Sequence, residues 1–186
     1  MLHFDINLDS LKQVSADLGA SEKQFKAAFG RACARTAATL RKMSSKGLKD
    51  ELQLRSISVL RKRLKSMRLR GSKDGDVQIW YGLNDLPVSA FKGRVKQDTG
   101  GAWAGEFYHE GGFVRKSKYG RQRNTIFKRK GKGRLPVAEQ LQAIKDQAMI
   151  YIEDRIFLEV DRIFWGHFVR DLEARVKYDI RSERWR

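Results

Sequence analysis

The chain has 186 residues, of which 41% are hydrophobic, and this predicts a single domain with one sizeable core rather than a disordered protein. Its formal net charge is +17, from 39 basic and 22 acidic residues, which indicates a polyanionic or acidic partner. The lone cysteine excludes an internal disulfide, and no apolar run approaches the roughly 18 residues of a membrane span. We therefore expect a soluble protein made in a reducing cytoplasm, with no membrane partner.

Residues 1–70 are predicted to be mainly helical after one short N-terminal strand. Apolar and polar residues alternate over residues 2–8, which is the period of a half-buried strand. Ser21 followed by Gln24 forms a capping box, which predicts the start of a long helix with an alanine-rich face. We expect this helix to loosen or end at Gly47.

Residues 76–135 are predicted to be β-rich. Val77, Ile79 and Tyr81 occupy alternate positions, and short β-like segments separated by glycines recur as far as residue 129. This pattern is typical of a small antiparallel sheet with long, basic connections.

Residues 137–180 are predicted to form one long amphipathic helix, with Pro136 in its first turn. Such a helix would reach about 60 Å, which is longer than a domain of this size is wide. Because the small sheet offers too little surface to cover the apolar stripe, the helix either breaks near Gly166 or packs on neighbouring subunits. We expect the stripe to contribute to a subunit interface of about 1,000 Å² or more. The candidate interface residues are Leu141, Ile144, Ile152, Ile156, Ile163, Phe164 and Phe168.

These elements predict the α+β class: N-terminal helices, a central small antiparallel β-sheet with long basic loops, and a long C-terminal amphipathic helix, in a single domain of residues 1–186.

The excess positive charge is confined to two segments. Residues 55–70 contain seven basic and no acidic residues, and residues 115–134 contain ten basic and no acidic residues, which together equal the net charge of the chain. The two segments are either a solubilising surface or the contact region for DNA or an acidic partner. The candidate contact residues are Arg61, Lys62, Arg63, Lys65, Arg115, Lys116, Lys118, Arg121, Arg123, Lys130 and Lys132.

No enzyme motif is present in the sequence. There is no phosphate-binding G-x-x-x-x-G-K-[ST] loop and no G-x-S-x-G nucleophile elbow. His109-Glu110 begins like a zinc-protease helix, but two glycines follow and no second histidine stands four residues on. The remaining histidines, His3 and His167, are far away in sequence. We therefore expect no enzyme activity, no catalytic or metal-binding residues and no cofactor.

Aromatic residues accompany the second basic segment, and two interpretations remain open. Phe113, Tyr119 and Phe127 lie among its cations, where they could stack on nucleic-acid bases or fill strand interiors. Core packing is favoured over stacking. No helix-turn-helix, zinc-finger or ribonucleoprotein motif appears, so any binding is expected to involve backbone charge rather than base edges.

Four stretches of the chain resemble the minor tail protein Z family of tailed bacteriophages. The most specific is the strand-to-helix junction over residues 127–137, Phe-Lys-Arg-Lys-Gly-Lys-Gly-Arg-Leu-Pro-Val. Residues 32–42 resemble the Ala/Thr-rich first helix of the family, residues 59–64 its basic second helix, and residues 79–91 its first strand and the following loop. The resemblance covers residues 24–147 approximately and does not include the end of the long C-terminal helix.

The resemblance implies a structural role in tail completion. It implies a non-enzymatic ring subunit at the head-proximal end of the tail, which helps to join the tail to the head and to accommodate the DNA end. The implied partners are the tail terminator, the tail tube, the head-completion ring, copies of the chain itself and, by non-specific contact, genomic DNA. The implied location is the virion tail, after assembly in the host cytoplasm. The alternative from the residues alone is a free-standing nucleic-acid-binding protein without sequence specificity, and a nuclease ranks third.

Overall fold

The chain has the α+β fold that the sequence predicts. The computed structural model describes residues 2–5, 7–63, 69–71, 76–79, 81–116 and 124–180, without the side chains of residues 2–5, 8, 62, 63, 69–71 and 76–79. In chain order, the elements are β1 (Leu2–Asp5), α1 (Leu8–Asp17), α2 (Glu22–Glu51), α3 (Ser58–Arg63), β2 (Leu69–Gly71), β3 (Asp76–Ile79), β4 (Leu86–Pro87), β5 (Val95–Asp98), β6 (Gly101–Ala104), β7 (Phe107–Glu110), β8 (Gly112–Lys116), β9 (Asn124–Arg129), β10 (Val137–Glu139), β11 (Leu141–Gln142), α4 (Lys145–Tyr151) and α5 (Val160–Lys177).

The chain divides into two compact units, whereas the sequence predicts a single domain. Unit 1 comprises residues 1–45, 63–82 and 151–186, and unit 2 comprises residues 46–62 and 83–150. Each unit is therefore built from segments that are distant in sequence.

The long helix α2, of which residues 22–45 belong to unit 1, begins at the predicted capping box. The Ser21 backbone N–H donates to Gln24 Oε1 over 2.8 Å, and the Gln24 N–H donates back to Ser21 Oγ over 3.4 Å. These two bonds satisfy donors that a helix start leaves open. The helix does not end at Gly47 as expected but continues to Glu51, and Leu48 on its last turn is fully buried.

The core of unit 1 is formed by α1, α2 and α5. Small α2 residues such as Ala28 and Ala32 are fully buried and let the helix approach Phe164 and Phe168 of α5, which are also fully buried. The Phe29 ring meets the Phe164 ring edge-on at 5.8 Å between centroids. Burial of one such aromatic side chain contributes about 1.5–3 kcal/mol, and an edge-on ring pair adds about 0.5–1.5 kcal/mol.

The C-terminal segment is not one regular helix. Residues 137–142 form β10 and β11 instead of the predicted first turns, and Pro136 precedes a strand. Helix α4 then passes through a π-helical segment, Ile152–Ile156, and a short 3-10 segment, Phe157–Glu159, into α5. Gly166 does not interrupt α5.

Most of the predicted interface stripe is covered by the chain itself. Ile144, Ile152, Ile156, Phe164 and Phe168 are each at most 2% exposed. Ile163 is half-buried, and Leu141 lies in β11, where it is 56% exposed. The premise that the chain has too little surface to bury this stripe is therefore wrong for these five residues.

The described strands of unit 2 form three separate antiparallel sheets, where the sequence predicts one. Strands β5, β6 and β7 form one sheet, β8, β9 and β10 a second with β9 in the centre, and β4 pairs with β11. Val88, Ala102 and Ile126 form a small buried cluster of the unit. Gln97 connects β5 to β8, because its Oε1 accepts the Val114 backbone N–H over 2.8 Å.

A glycine is required at the start of β8. A Cβ on Gly112 would lie 2.7 Å from Ile126 Cγ2 and 2.8 Å from the His109 carbonyl oxygen. Gly112 thus lets β8 approach the buried Ile126 closely.

Candidate nucleic-acid interface

Cations are concentrated on the β8–β9 hairpin and the segment after it, in unit 2. Arg115 and Lys116 end β8, and both are exposed. Lys128, Arg129 and Lys130 end β9 and begin the next segment, and they are exposed as well. The whole unit holds 19 basic and 8 acidic residues, a net charge of +11.

The register divides these cations into two groups. Arg115 pairs with Thr125, and Gly112 pairs with Lys128 at the other end of the hairpin. At about 3.4 Å per residue, Arg115 and Arg129 are therefore about 14 Å apart along the hairpin. Lys130 and Lys132 follow Arg129, so the predicted contact residues form two exposed groups at opposite ends of one hairpin.

None of the exposed cations of the hairpin and the following segment forms an ion pair with a residue that the structure describes. These cations are Arg115, Lys116, Lys128, Arg129, Lys130, Lys132 and Arg134. Arg55 shows the contrast, because its side chain donates to the backbone carbonyl oxygens of Phe91 and Gly93 and so serves the fold. We call these seven residues the hairpin cations, and their positive charges are accessible to solvent or to a partner.

The aromatic residues of the hairpin pack on each other. Phe113 and Phe127 lie directly opposite in the register, with ring centroids 6.3 Å apart, and both are half-buried. The Arg129 guanidinium lies 6.0 Å from the centre of the Phe113 ring. This arrangement fits strand packing, the favoured interpretation, better than a free stacking platform. Tyr119 lies outside the described residues.

The other predicted contact residues are placed only in part. Arg61 is an exposed residue of α3. Lys62 and Arg63 belong to the same helix, but their side chains are not described. Lys65, Lys118, Arg121 and Arg123 lie outside the described residues.

A second exposed surface that the sequence did not indicate lies on the sheet of β5, β6 and β7. Trp103 and Tyr108 are adjacent across strands, with centroids 4.9 Å apart, and are 40% and 41% exposed. The Trp103 Nε1–H donates to Asp98 over 3.0 Å, which together with the Thr99 backbone N–H lowers the pKa of Asp98. The Tyr108 ring covers Gly101, where a Cβ would lie 2.6 Å from the hydroxyl oxygen. Tyr108 therefore fills the space above a glycine.

Histidines and carboxylates do not assemble into a metal site in the described parts of the chain. His109 is half-buried, and its burial lowers the pKa of the imidazole. Glu110 next to it is exposed.

Three arginines surround Asp171 in unit 1, and the sequence did not predict this cluster. Asp171 on α5 is 3% exposed, and its Oδ2 accepts from Nε of the fully buried Arg175 over 2.7 Å. Its Oδ1 lies 3.7 Å from nitrogen atoms of both Arg31 and Arg35 on α2. The i,i+4 spacing of Asp171 and Arg175 was visible in the sequence, but their burial and the α2 partners were not.

Comparison with known proteins found no match to a protein-family profile, to a curated protein or to a solved structure. No helix among the described residues is both long and apolar enough to cross a membrane.

Proposed function

We propose that this chain is a structural, non-enzymatic subunit at the head-proximal end of a phage tail. In this proposal, copies of the chain form a ring that helps to join the tail to the head. The ring accommodates the DNA end through contacts between the hairpin cations and the phosphate backbone. Neighbouring tail and neck proteins and copies of the chain are the other partners, in the virion.

The observation that carries the proposal is the set of hairpin cations without ion pairs among the described residues. Each cation that neutralises a phosphate releases a counterion, and this release supplies most of the affinity in non-specific binding. The contacts need no base recognition, which suits a protein that meets any sequence at the end of a genome. The similarity of residues 127–137 to a tail-protein junction supports placing this surface in a tail.

The ring interface remains part of the proposal with a smaller set of residues. Of the seven candidates, Leu141 is exposed and Ile163 is half-buried, so these two side chains are accessible to another copy. The other five contribute to the chain's own packing.

The first test measures binding of purified protein to a short DNA duplex by fluorescence anisotropy at several salt concentrations. Substituting Arg115, Lys116, Lys130 and Lys132 with Ser should weaken binding and reduce the slope of log K against log salt by up to about 3.6. The matched control substitutes four exposed cations of unit 1, Lys12, Lys23, Lys26 and Lys177, with Ser. Equal losses in both variants would show that only net charge matters and would refute a hairpin interface.

The second test asks where the protein acts. The gene is deleted from the phage that carries it, and the wild-type or hairpin variant chain is supplied in the host cell. We expect the variant to yield few infectious particles because heads and tails fail to join or DNA is misplaced. Normal infectivity from the hairpin variant, or normal particles without the gene, would contradict the proposed role. The latter result combined with duplex binding would favour the alternative, a free-standing nucleic-acid-binding protein.

The third test concerns catalysis. Purified protein with Mg²⁺ or Mn²⁺ is expected to leave supercoiled plasmid DNA intact. Nicking that disappears in the His109→Gln or Glu110→Gln variant would refute a purely structural role.

A further inference from the structure

Four polar side chains of unit 1 converge along one flank of the contact between α2 and α5. Arg35 and Thr39 are one turn apart on α2, and His167 and Arg170 are one turn apart on α5. Thr39 Oγ1 and His167 Nε2 are 3.4 Å apart. Burial lowers the pKa of His167, and the positive charges of Arg35 and Arg170 lower it further. We call these four residues the Arg35–Arg170 seam.

The seam presents donors and positive charge. Arg35 lies 3.7 Å from Asp171 Oδ1, which is close enough for charge attraction but too long for a hydrogen bond. Asp171 already accepts a hydrogen bond from the buried Arg175, so Arg175 offsets part of the negative charge of Asp171. The Arg35 guanidinium thus keeps its five N–H donors available beside a carboxylate that is already engaged.

The seam is also accessible. The Arg35 side chain is 46% exposed and Arg170 is exposed, whereas Thr39 and His167 are half-buried between them. Neither Arg35 nor Arg170 donates a hydrogen bond to another residue that the structure describes. Guanidiniums, a hydroxyl and an imidazole are hydrogen-bond donors of the kinds that bind the oxygen atoms of a tetrahedral anion.

We propose that the Arg35–Arg170 seam binds one phosphate group. The two guanidiniums hold its oxygens, and Thr39 and the imidazole of His167 donate to it from the helix contact. The phosphate is either free inorganic phosphate or a phosphodiester of a nucleic acid strand. The site belongs to unit 1 and shares no residue with the hairpin cations of unit 2, so this proposal does not depend on whether the hairpin contacts DNA.

The experiment follows the titration of the histidine ring protons by NMR, in phosphate and in chloride at equal ionic strength. His167 is assigned with the His167→Gln variant. A bound anion between Arg35 and Arg170 offsets their positive charges, so the pKa of His167 should be higher in phosphate than in chloride. His109 is the internal control: only burial lowers its pKa, and its titration should be the same in both salts.

Two variants and one matched control complete the design. Arg35→Gln and Arg170→Gln should each weaken phosphate binding about tenfold or more, because each removes charge-assisted hydrogen bonds. Arg162→Gln, on the same helix but paired with Glu159, should bind phosphate like the wild type. Circular dichroism checks that all three variants are folded.

A short DNA duplex in place of phosphate distinguishes the two sources of the ligand. If a phosphodiester binds, the duplex raises the pKa of His167 and this effect disappears in Arg35→Gln. If only inorganic phosphate raises it, the seam binds the free anion. Identical His167 titrations in chloride, phosphate and duplex, or unchanged phosphate binding in both arginine variants, would overturn the proposal.

Discussion

Replacing Asp171 with Asn tests how the buried charges hold unit 1 together. The Asp171–Arg175 bond spans 2.7 Å between groups that are at most 3% exposed. At an effective dielectric constant of about 20, the attraction at this distance is about 6 kcal/mol, and the cost of desolvating both ions offsets part of it. Removing one partner of such a pair commonly costs about 3–5 kcal/mol, because the remaining charge stays buried without its counter-charge. We therefore expect the Asp171→Asn substitution to lower the free energy of unfolding by about 3–5 kcal/mol.

The assay is urea unfolding followed by both tryptophan fluorescence and far-UV circular dichroism. Glu173→Gln is the matched control, since it removes a carboxylate from the exposed side of the same helix and should change stability by at most about 0.5 kcal/mol. The double variant Asp171→Leu, Arg175→Met should unfold at a higher urea concentration than Asp171→Asn, because it leaves neither buried charge of the pair. A loss below about 1 kcal/mol in Asp171→Asn would refute this account of the cluster.

Three further outcomes are expected. Gly112→Ala should lower the free energy of unfolding in urea by about 1–3 kcal/mol because its Cβ would press on Ile126, whereas Gly131→Ala, whose Cβ meets open space, should leave it nearly unchanged. Equal unfolding midpoints of the two variants would contradict the close approach at Gly112. Burial raises the pKa of Cys33 to about 11, so its thiol should react with a disulfide reagent at pH 8 only after unfolding, and fast labelling of the folded chain would disprove this. The pKa of His167 in the folded chain lies below the unfolded value of 6.5, so the unfolded chain binds more protons and the free energy of unfolding should fall as the pH is lowered through 6.5. The His167→Gln substitution should flatten this pH dependence, and an unchanged profile would exclude His167 as a contributor.

The sequence predicted the features that depend on local interactions. The capping box of Ser21 and Gln24 closes within one turn, so its residue types and spacing sufficed. The α+β class followed from the change of hydrophobic period near residue 76.

Errors arose where partners distant in sequence decide the local structure. Residues 137–142 are too short a stretch to separate a helical from an alternating period, and their pairing with β9 and β4 makes them strands. The burial of Ile152 could not be read from its apolar stripe, because a stripe looks the same whether another subunit or the same chain covers it.

The two proposed binding surfaces differ in the same way. The hairpin cations all lie within residues 115–134, so the charge count found them. The Arg35–Arg170 seam joins residues more than 120 positions apart, and each alone resembles an ordinary charged residue on a helix face. Only the packing of α2 against α5 brings them together.

The interleaved segments of the two units set an order for folding during synthesis. Unit 2 ends at residue 150, so all its residues are synthesised before α5. Residues 1–45 of unit 1 cannot complete their packing until then, because Ala28 and Ala32 of α2 lack Phe164 and Phe168 as packing partners. During that interval its apolar face is available to chaperones or to other nascent chains. A chain truncated after residue 150 should therefore contain a protease-resistant unit 2, whereas residues 1–45 of unit 1 should be open to proteolysis.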